Sequence, residues 1–425
     1  MKHKKIISIV TAACMLSGLS LGGNALTVYA DDEVKELVLW DHHTGKEFDF
    51  LVSKAEEYSE VNPDVHITVE QIPWDDYIGT KMATAFASGE GPDIFEVYPG
   101  SVLKYADAGI LMPLNDYLTE EQLADFSEAS IEAVTVSDQI VAIPFEIEPL
   151  ALYYDIDKFE EKGLEPPTTW DEMIEAAQAL AEDDCAGITI ETTKGGHQDF
   201  QWYPWLWQLG GSIYTEDQTG SALNDPKVAE SLQLWRTMFE TGAANLKPSR
   251  PGSEIAMLGE GETAMQLCGS WSVVTVEETY KDKNIGVVPL PIPEGGEQVT
   301  VAGGWKMGVN SQSEYAKEAA DFVTWLWAGD TEHALEWCTE IKFAYSPRTS
   351  VTEAGGDIYT KGIRQVFTDI LDTAIPEMRL PAEVVEIVED MIQSAYFDQS
   401  ITVEEATQNA HEELELFLSD YEGSL

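Results

Sequence analysis

The chain has 425 residues, 44% of them hydrophobic and 24% charged, a globular composition in a length that exceeds one typical core, so two domains are expected. Its 77 Asp and Glu against 24 Lys and Arg leave a formal charge of −53. So acidic a surface repels phosphate backbones and anionic bilayers, which argues against nucleic acid or a membrane surface as partner.

Residues 1–30 read as a targeting segment rather than as fold. Lys2, Lys4 and Lys5 precede an apolar stretch from Ile6, and Val28-Tyr29-Ala30 fits a small-x-small cleavage site before Asp31. A competing reading is Thr11-Ala12-Ala13-Cys14, a partial match to a lipoprotein signal that would anchor the chain by a lipid on Cys14. Either way the mature protein is expected outside the cytoplasmic membrane. No later run is long and apolar enough to span a bilayer. Cleavage after Ala30 leaves Cys185, Cys268 and Cys338, too few and too scattered for a disulfide framework or a zinc ligand set, so buried free thiols are expected.

Glu36–Trp40 has the pattern of a short strand, followed by the polar loop Asp41-His42-His43-Thr44-Gly45 and a helix over about 48–62. A second strand over 65–72, a helix over 77–88, a strand at 94–97 and a helix over 101–109 complete a β-α-β-α-β rhythm. That rhythm predicts a parallel sheet with crossover helices, in which ligands sit beyond the carboxyl ends of the strands. The stretch Ile143–Phe159 combines a buried-strand pattern with Glu146, Glu148, Pro144 and Pro149, and predicts an extended crossing between domains. Thr169 is placed to cap a helix through Ala181, with Glu172 as its capping-box partner. A strand is expected over 186–191, an aromatic helix over 200–209, a helix over 228–239 and a strand over 285–288. Residues 301–309 and 343–348 resemble further crossings, with helices over 314–327 and 331–338 between them. The rest is helical as far as Leu418, interrupted by Pro376 and Pro381.

Six segments in this order carry a resemblance: ELVLWDHHTG, GEGPDIFEVYPGSVLKYADAGILMPL, IPFEIEPLALYYDIDKFEEKGLEPPTTWDEM, WLWQLGG, GETAMQLCGSW and AGGWKMGVNSQSEYAKEAADFVTWL. Together they resemble the extracellular solute-binding proteins of ABC importers, the sugar-binding family that includes maltodextrin-binding protein. The resemblance implies a two-lobed α/β fold of the periplasmic-binding-protein type, each lobe a mainly parallel sheet flanked by helices, with three interlobe crossings. It implies an N-lobe of 31–145 plus 306–340 and a C-lobe of 146–305 plus 341–425. It also implies a function: binding an oligosaccharide and delivering it to a membrane permease, as a monomer, with no cofactor and no catalysis.

Sugars offer apolar C–H faces to aromatic rings and hydroxyls to carboxylates, amides and guanidinium groups. On that basis the resemblance puts His42, His43 and Thr44 in the cleft from the N-lobe, with Tyr98 after the third strand and Glu148 at the first crossing as a hydroxyl acceptor. From the C-lobe it puts Trp202 or Trp205, and Trp271, as stacking platforms. Trp305 and Arg348 fall at the later crossings. Glu146 is the weaker of the two crossing carboxylates. Asp41-His42-His43 lacks a clear third ligand in the sequence, and no metal is expected. Maltodextrin binders carry Asn-Gly-Asp-Lys-like chemistry in the first loop and an aromatic pair near the position of Pro376. Both are missing here, which argues against maltodextrin as ligand. The competing function is a secreted glycoside hydrolase using a carboxylate pair in the cleft. Feeding a chemosensor and feeding a permease are indistinguishable in the sequence.

Overall fold

The computed structural model describes residues 34–421, so the targeting segment and Cys14 lie outside the described residues. The strands in chain order are β1 (Lys35–Asp41), β2 (Val65–Gln71), β3 (Ile94–Val97), β4 (Thr135–Val136), β5 (Gln139–Ile140), β6 (Ile143–Pro144), β7 (Glu148–Asp155), β8 (Met265–Gly269), β9 (Ile285–Val288), β10 (Thr300–Gly303), β11 (Lys306–Val309) and β12 (Ala374–Pro376). Among the described residues, no helix is long and apolar enough to cross a membrane.

The first sheet has the order β2-β1-β3-β11-β6. β1 runs parallel to both β2 and β3, as the alternation of strand and helix predicts, with Leu37 opposite Ile67 and Leu39 opposite Ile94. Leu37 and Leu39 point into the core, and the same alternation puts Asp41 on the buried side at the strand's end. Helix Lys46–Val61 covers this sheet through Phe50, Leu51, Ala55 and Tyr58. The second sheet has the order β12-β10-β7-β8, with β9 also pairing β7. Leu150 and Leu152 of β7 enter one packed cluster, and Ala151 and Tyr153 enter another. The strand is therefore buried on both faces, which explains its unbroken apolar run.

The parallel rhythm stops where the chain changes lobe. β7 is antiparallel to β8, β9 and β10, and β11 is antiparallel to β3 and β6. Each of these strands follows a crossing directly, with no helix to return the chain to the opposite edge, so it enters its sheet reversed. The capping box at Thr169 and Glu172 forms as the sequence predicts, and helix Trp170–Leu180 follows it. The strand expected over 186–191 is reduced to isolated bridges, because Ala186, Ile188 and Thr189 meet Thr263, Ala244 and Gln266, which lie on separate segments. Cys185, Cys268 and Cys338 are buried free thiols.

The three crossings lie side by side. Ile147 and Tyr345 exchange backbone hydrogen bonds of 2.6 and 2.9 Å, and the Phe145 N–H donates to the Trp305 carbonyl at 3.4 Å. Gly304 sits at φ +110°, where a Cβ would lie 2.1 Å from the Glu146 carbonyl oxygen, so only glycine lets the second crossing lie against the first. Glu146 joins all three. Its buried carboxylate accepts from the Trp305 N–H at 3.1 Å and from Trp337 Nε1 at 2.7 Å, and it lies 3.2 Å from Lys342 Nζ. The third crossing then turns back: helix Thr349–Gly355 places Val351 in the N-lobe core, although 341–425 is expected to be C-lobe.

Removing one member of a buried ion pair strands the other in a medium that cannot solvate it. Glu146→Ala should therefore lower unfolding free energy by about 3–5 kcal/mol, read from urea melts followed by far-UV circular dichroism. A loss below about 1 kcal/mol would show that the crossings hold without it.

Candidate functional site

A cavity of about 390 Å³ lies between the two sheets. Its walls come from the loop after β1 (His42, His43, Thr44), from Trp74 and Tyr98, from Phe200 and Trp271 on the opposite lobe, and from the crossing residues Glu148, Trp305 and Lys342. The N-lobe contribution sits beyond the carboxyl ends of β1, β2 and β3, where a parallel sheet leaves its loops free to carry function.

Aromatic rings dominate this wall. Trp305 is packed edge-on by His42 at 4.1 Å between centroids, by Tyr98 at 5.4 Å and by Trp74 at 6.0 Å. Trp271 stands on the C-lobe at the end of β8. Gly269 makes room for it, since a Cβ there would lie 1.8 Å from the indole ring. The indole is held by Nε1 donating to the Ser253 carbonyl at 3.0 Å and is half-buried, with its ring beside Phe200 and His197. Tyr98 reaches from one lobe to the other, its hydroxyl donating to the Gly196 carbonyl at 3.0 Å. Gly196 begins the helix Gly196–Gln208.

The floor is charged and buried. Lys342 Nζ lies 2.9 Å from Glu148 and 3.2 Å from Glu146. Burial and the neighbouring Glu146 push the Glu148 carboxyl up to about 8 against the pull of Lys342. Glu146 is also buried, but Lys342, His43 and its two N–H donors hold it below the usual carboxylate range. Deeper in, His43 Nδ1 lies 2.7 Å from Asp41 Oδ1 and 3.4 Å from Glu96 Oε2, and His43 Nε2 lies 3.3 Å from Glu47 Oε2. Burial works against the imidazolium, but Glu96, Asp41 and Glu47 outweigh it and hold His43 well above the ordinary histidine value. His42 goes the other way: burial, the charge on His43 and Lys342 together hold it well below. Burial carries Glu96 up to about 8.

Of the residues expected in the cleft, the structure brings together His42, His43, Thr44, Tyr98, Glu148, Trp271 and Trp305. It places three elsewhere. Trp202 and Trp205 are fully buried in the C-lobe core. Trp202 Nε1 donates to Ser231 Oγ at 2.9 Å, and the Trp205 ring packs against Trp235 and Trp170. Their helix lies between helix Pro226–Glu240 and the sheet and is buried almost all round, so Phe200 and His197, at its start, are what reach the cavity. Arg348 is also removed from the cleft. It donates to Asp125 at 2.8 Å and to the carbonyls of Trp327 and Gly329 at 3.1 and 3.0 Å, and so clamps the third crossing to the N-lobe.

Residues missed from sequence include Glu47, Lys342, His197 and Phe200. Glu47 had a usable signal, since it stands four residues after His43 at the start of a helix. Lys342 reaches the site through tertiary pairing and nothing local in the sequence marks it, whereas Glu96 stands at a strand end, where a parallel sheet places its ligands.

Comparison with known proteins agrees with this geometry. The family model described as bacterial extracellular solute-binding protein matches residues 42–327. A maltotriose-binding protein of Pyrococcus abyssi is 28% identical over 68% of this chain, which spans 62% of that relative's length. A lactose-binding protein of Rhizobium radiobacter is 23% identical over 79% of this chain and 78% of its own. Among solved structures, a Thermotoga lettingae ABC transporter solute-binding protein bound with α-D-tagatose has a TM-score of 0.79 at 23% identity, covering 90% of this chain and all of that one. Maltose-bound MalE3 of T. maritima has a TM-score of 0.78, also at 23% identity, over 90% and 99% of the two chains. With more than half its length matched by the family model, and with two sheets meeting over an aromatic cavity, the chain belongs to the bacterial extracellular solute-binding proteins.

Proposed function

We propose that this protein is the carbohydrate-binding subunit of an ABC importer, which closes its lobes on an oligosaccharide and delivers it to a membrane permease. The observation that carries the reading is the cavity itself: Trp271 on one lobe faces Trp74 and Tyr98 on the other, with the crossing residues Trp305 and Glu148 between them. Flat aromatic faces suit sugar C–H surfaces, and a carboxyl group suits paired hydroxyls. The volume lies within the range of about 300–1,000 Å³ common for small-molecule sites. The relatives named for maltotriose and lactose support the same ligand class. In this reading the lobes are 31–145 plus 306–340 and 146–305 plus 341–425, with 346–355 returned to the first. The mature protein works outside the cytoplasmic membrane, as a monomer, without turning its ligand over.

The hydrolase alternative needs two carboxyl groups flanking one bond. Glu148, carried up to about 8, would suit a general acid. Its neighbour Glu146 does not line the cleft cavity and is committed to Trp305, Trp337 and Lys342. Isothermal calorimetry against neutral oligosaccharides of different linkage tests the binding reading: one or more should bind with unit stoichiometry and be recovered intact. Failure of every neutral glycan to bind would overturn the sugar assignment, and recovery of shorter products would overturn the non-catalytic one.

Trp271→Ala should weaken sugar binding by about 1–3 kcal/mol, or roughly 5–150-fold, with little change in the unfolding midpoint. Trp202→Phe should show the opposite split. Losing the Nε1–Ser231 bond and ring volume lowers stability, by about 1 kcal/mol for the bond alone, while affinity stays within about twofold.

The buried acids also set a pH dependence. In the folded chain Glu96 and Glu148 keep their protons up to about 8, whereas in the unfolded chain they release them near about 4.3. The folded state then binds more protons between these values, so their contribution is fully present below about 4.3 and is lost as pH rises through about 8. Glu377, at about 8, and Glu389, at about 7, act in the same sense, as does His43 above its ordinary value. His42 opposes them below about 6.5. The urea midpoint should fall between about pH 5.5 and pH 8, and Glu96→Gln should fall less steeply. A midpoint that rises over this interval would contradict the assignment.

A further inference from the structure

We propose that Asp41, His42, His43 and Glu96 form a site for one divalent transition-metal ion of the zinc class, set into the N-lobe wall of the cleft. β1 and β3 are parallel neighbours with Trp40 opposite Phe95, and that register brings Asp41 alongside Glu96 at the ends of the two strands. The loop after β1 then places both imidazoles beside them. One ligand atom from each of the four residues lies within 4.8 Å of all the others.

Glu96 Oε2 is 3.7 Å from His42 Nε2 and 3.4 Å from His43 Nδ1. Asp41 Oδ1, 2.7 Å from His43 Nδ1, stands too close to be a co-ligand, but zinc bonds of about 2.0–2.2 Å at tetrahedral angles place donors roughly 3.3–3.6 Å apart, close to both Glu96 separations. They are too long for good hydrogen bonds. Asp41 is fully buried and Glu96 is 1% exposed, yet Asp41 Oδ2, His42 Nε2 and both Glu96 carboxylate oxygens have no hydrogen-bond partner among the described residues. Acceptor atoms converging in a buried site are costly unless protons or a cation stand between them, and a metal ion at their centre supplies that charge.

The surroundings fit a held metal. Glu47 lies 3.3 Å from His43 Nε2, the arrangement in which a carboxylate orients a metal-binding imidazole through its other nitrogen. Tyr77 grips Glu96 through its backbone: the hydroxyl donates to the Glu96 carbonyl at 2.8 Å and accepts from the Glu96 N–H at 2.7 Å. Gln71 Nε2 donates to the His43 carbonyl at 3.1 Å and so fixes the loop. Two imidazoles with two carboxylates select a borderline ion over magnesium or calcium, which favour oxygen-only shells. Asp41 Oδ1 accepts from the His43 backbone N–H at 3.1 Å, which leaves Oδ2 to ligate once zinc replaces the proton on His43 Nδ1. His42 and His43 both border the cavity, which supplies a route of entry.

The test uses the mature protein without a polyhistidine tag, stripped with EDTA and dialysed. Calorimetric titration with zinc chloride should give one equivalent bound and a raised melting temperature. Magnesium chloride should give neither, and cobalt(II) should develop a visible d–d band. Glu96→Gln and His42→Gln should each weaken zinc binding by about tenfold or more. Far-UV circular dichroism of the metal-free variants checks their folding; if one variant fails to fold, the other decides. Absence of zinc binding, or zinc binding of unchanged strength in a folded variant, would overturn the site. Sugar binding is measured separately on the metal-free protein, so the two readings fail independently.

Discussion

Glu146 is the residue on which the two-lobed arrangement depends. A carboxylate buried between domains is stable only if its neighbours supply donors and a counter-charge, and here those come from all three crossings. Glu146 stands on the first, receives the Trp305 N–H of the second, and faces Lys342 of the third. Trp337 adds a fourth contact from the N-lobe. The crossings are thereby fixed in register with one another, and with them Glu148 and Trp305, whose side chains face the cleft. Positioning of the candidate binding residues follows from satisfying one buried charge.

The cleft joins this fixed base to surfaces that can separate. Beyond the crossings, polar contacts between the lobes among the described residues include the Tyr98 hydroxyl on the Gly196 carbonyl, Lys46 with Glu278 at 2.7 Å, the Tyr421 hydroxyl on Asp107 Oδ2 at 3.4 Å, and Arg379 on the Thr135 carbonyl. The Lys46–Glu278 pair is more than half exposed on both sides, so solvent screens it and it contributes little. In the proposed function, a ligand that contacts Trp271 on one lobe and Trp74 and Tyr98 on the other would have a large influence on closure. This is the population shift expected of a hinged receptor.

How much of this could be read from the sequence depended on whether the determining contacts were local. The strand at 94–97, the capping box at Thr169 and the crossing at 143–159 carry their signals within a few residues, and they form as expected. Trp271 also had a local cue, the small residues before it. The aromatic helix misled because spacing alone does not say which side a helix buries. Trp202 and Trp205 have layers packed around them, and the end that lines the cavity is at Phe200 and His197. Arg348 was placed at the correct crossing but satisfies the N-lobe instead of a ligand. Glu146 looked subordinate to Glu148 because its partners lie 159 to 196 residues away. Asp41, His42 and His43 lacked a further ligand only because Glu96 reaches them through sheet register.

In the proposed function a neutral oligosaccharide is held between the lobes by aromatic faces and the crossing carboxyl group. A crystal structure of the protein with a sugar retained through purification, or added after calorimetric selection, tests it most directly. Sugar rings should lie on Trp271 and against Trp305, with a hydroxyl within hydrogen-bond distance of Glu148. A sugar bound outside this cavity, or bound within it without touching Trp271 or Glu148, would contradict it.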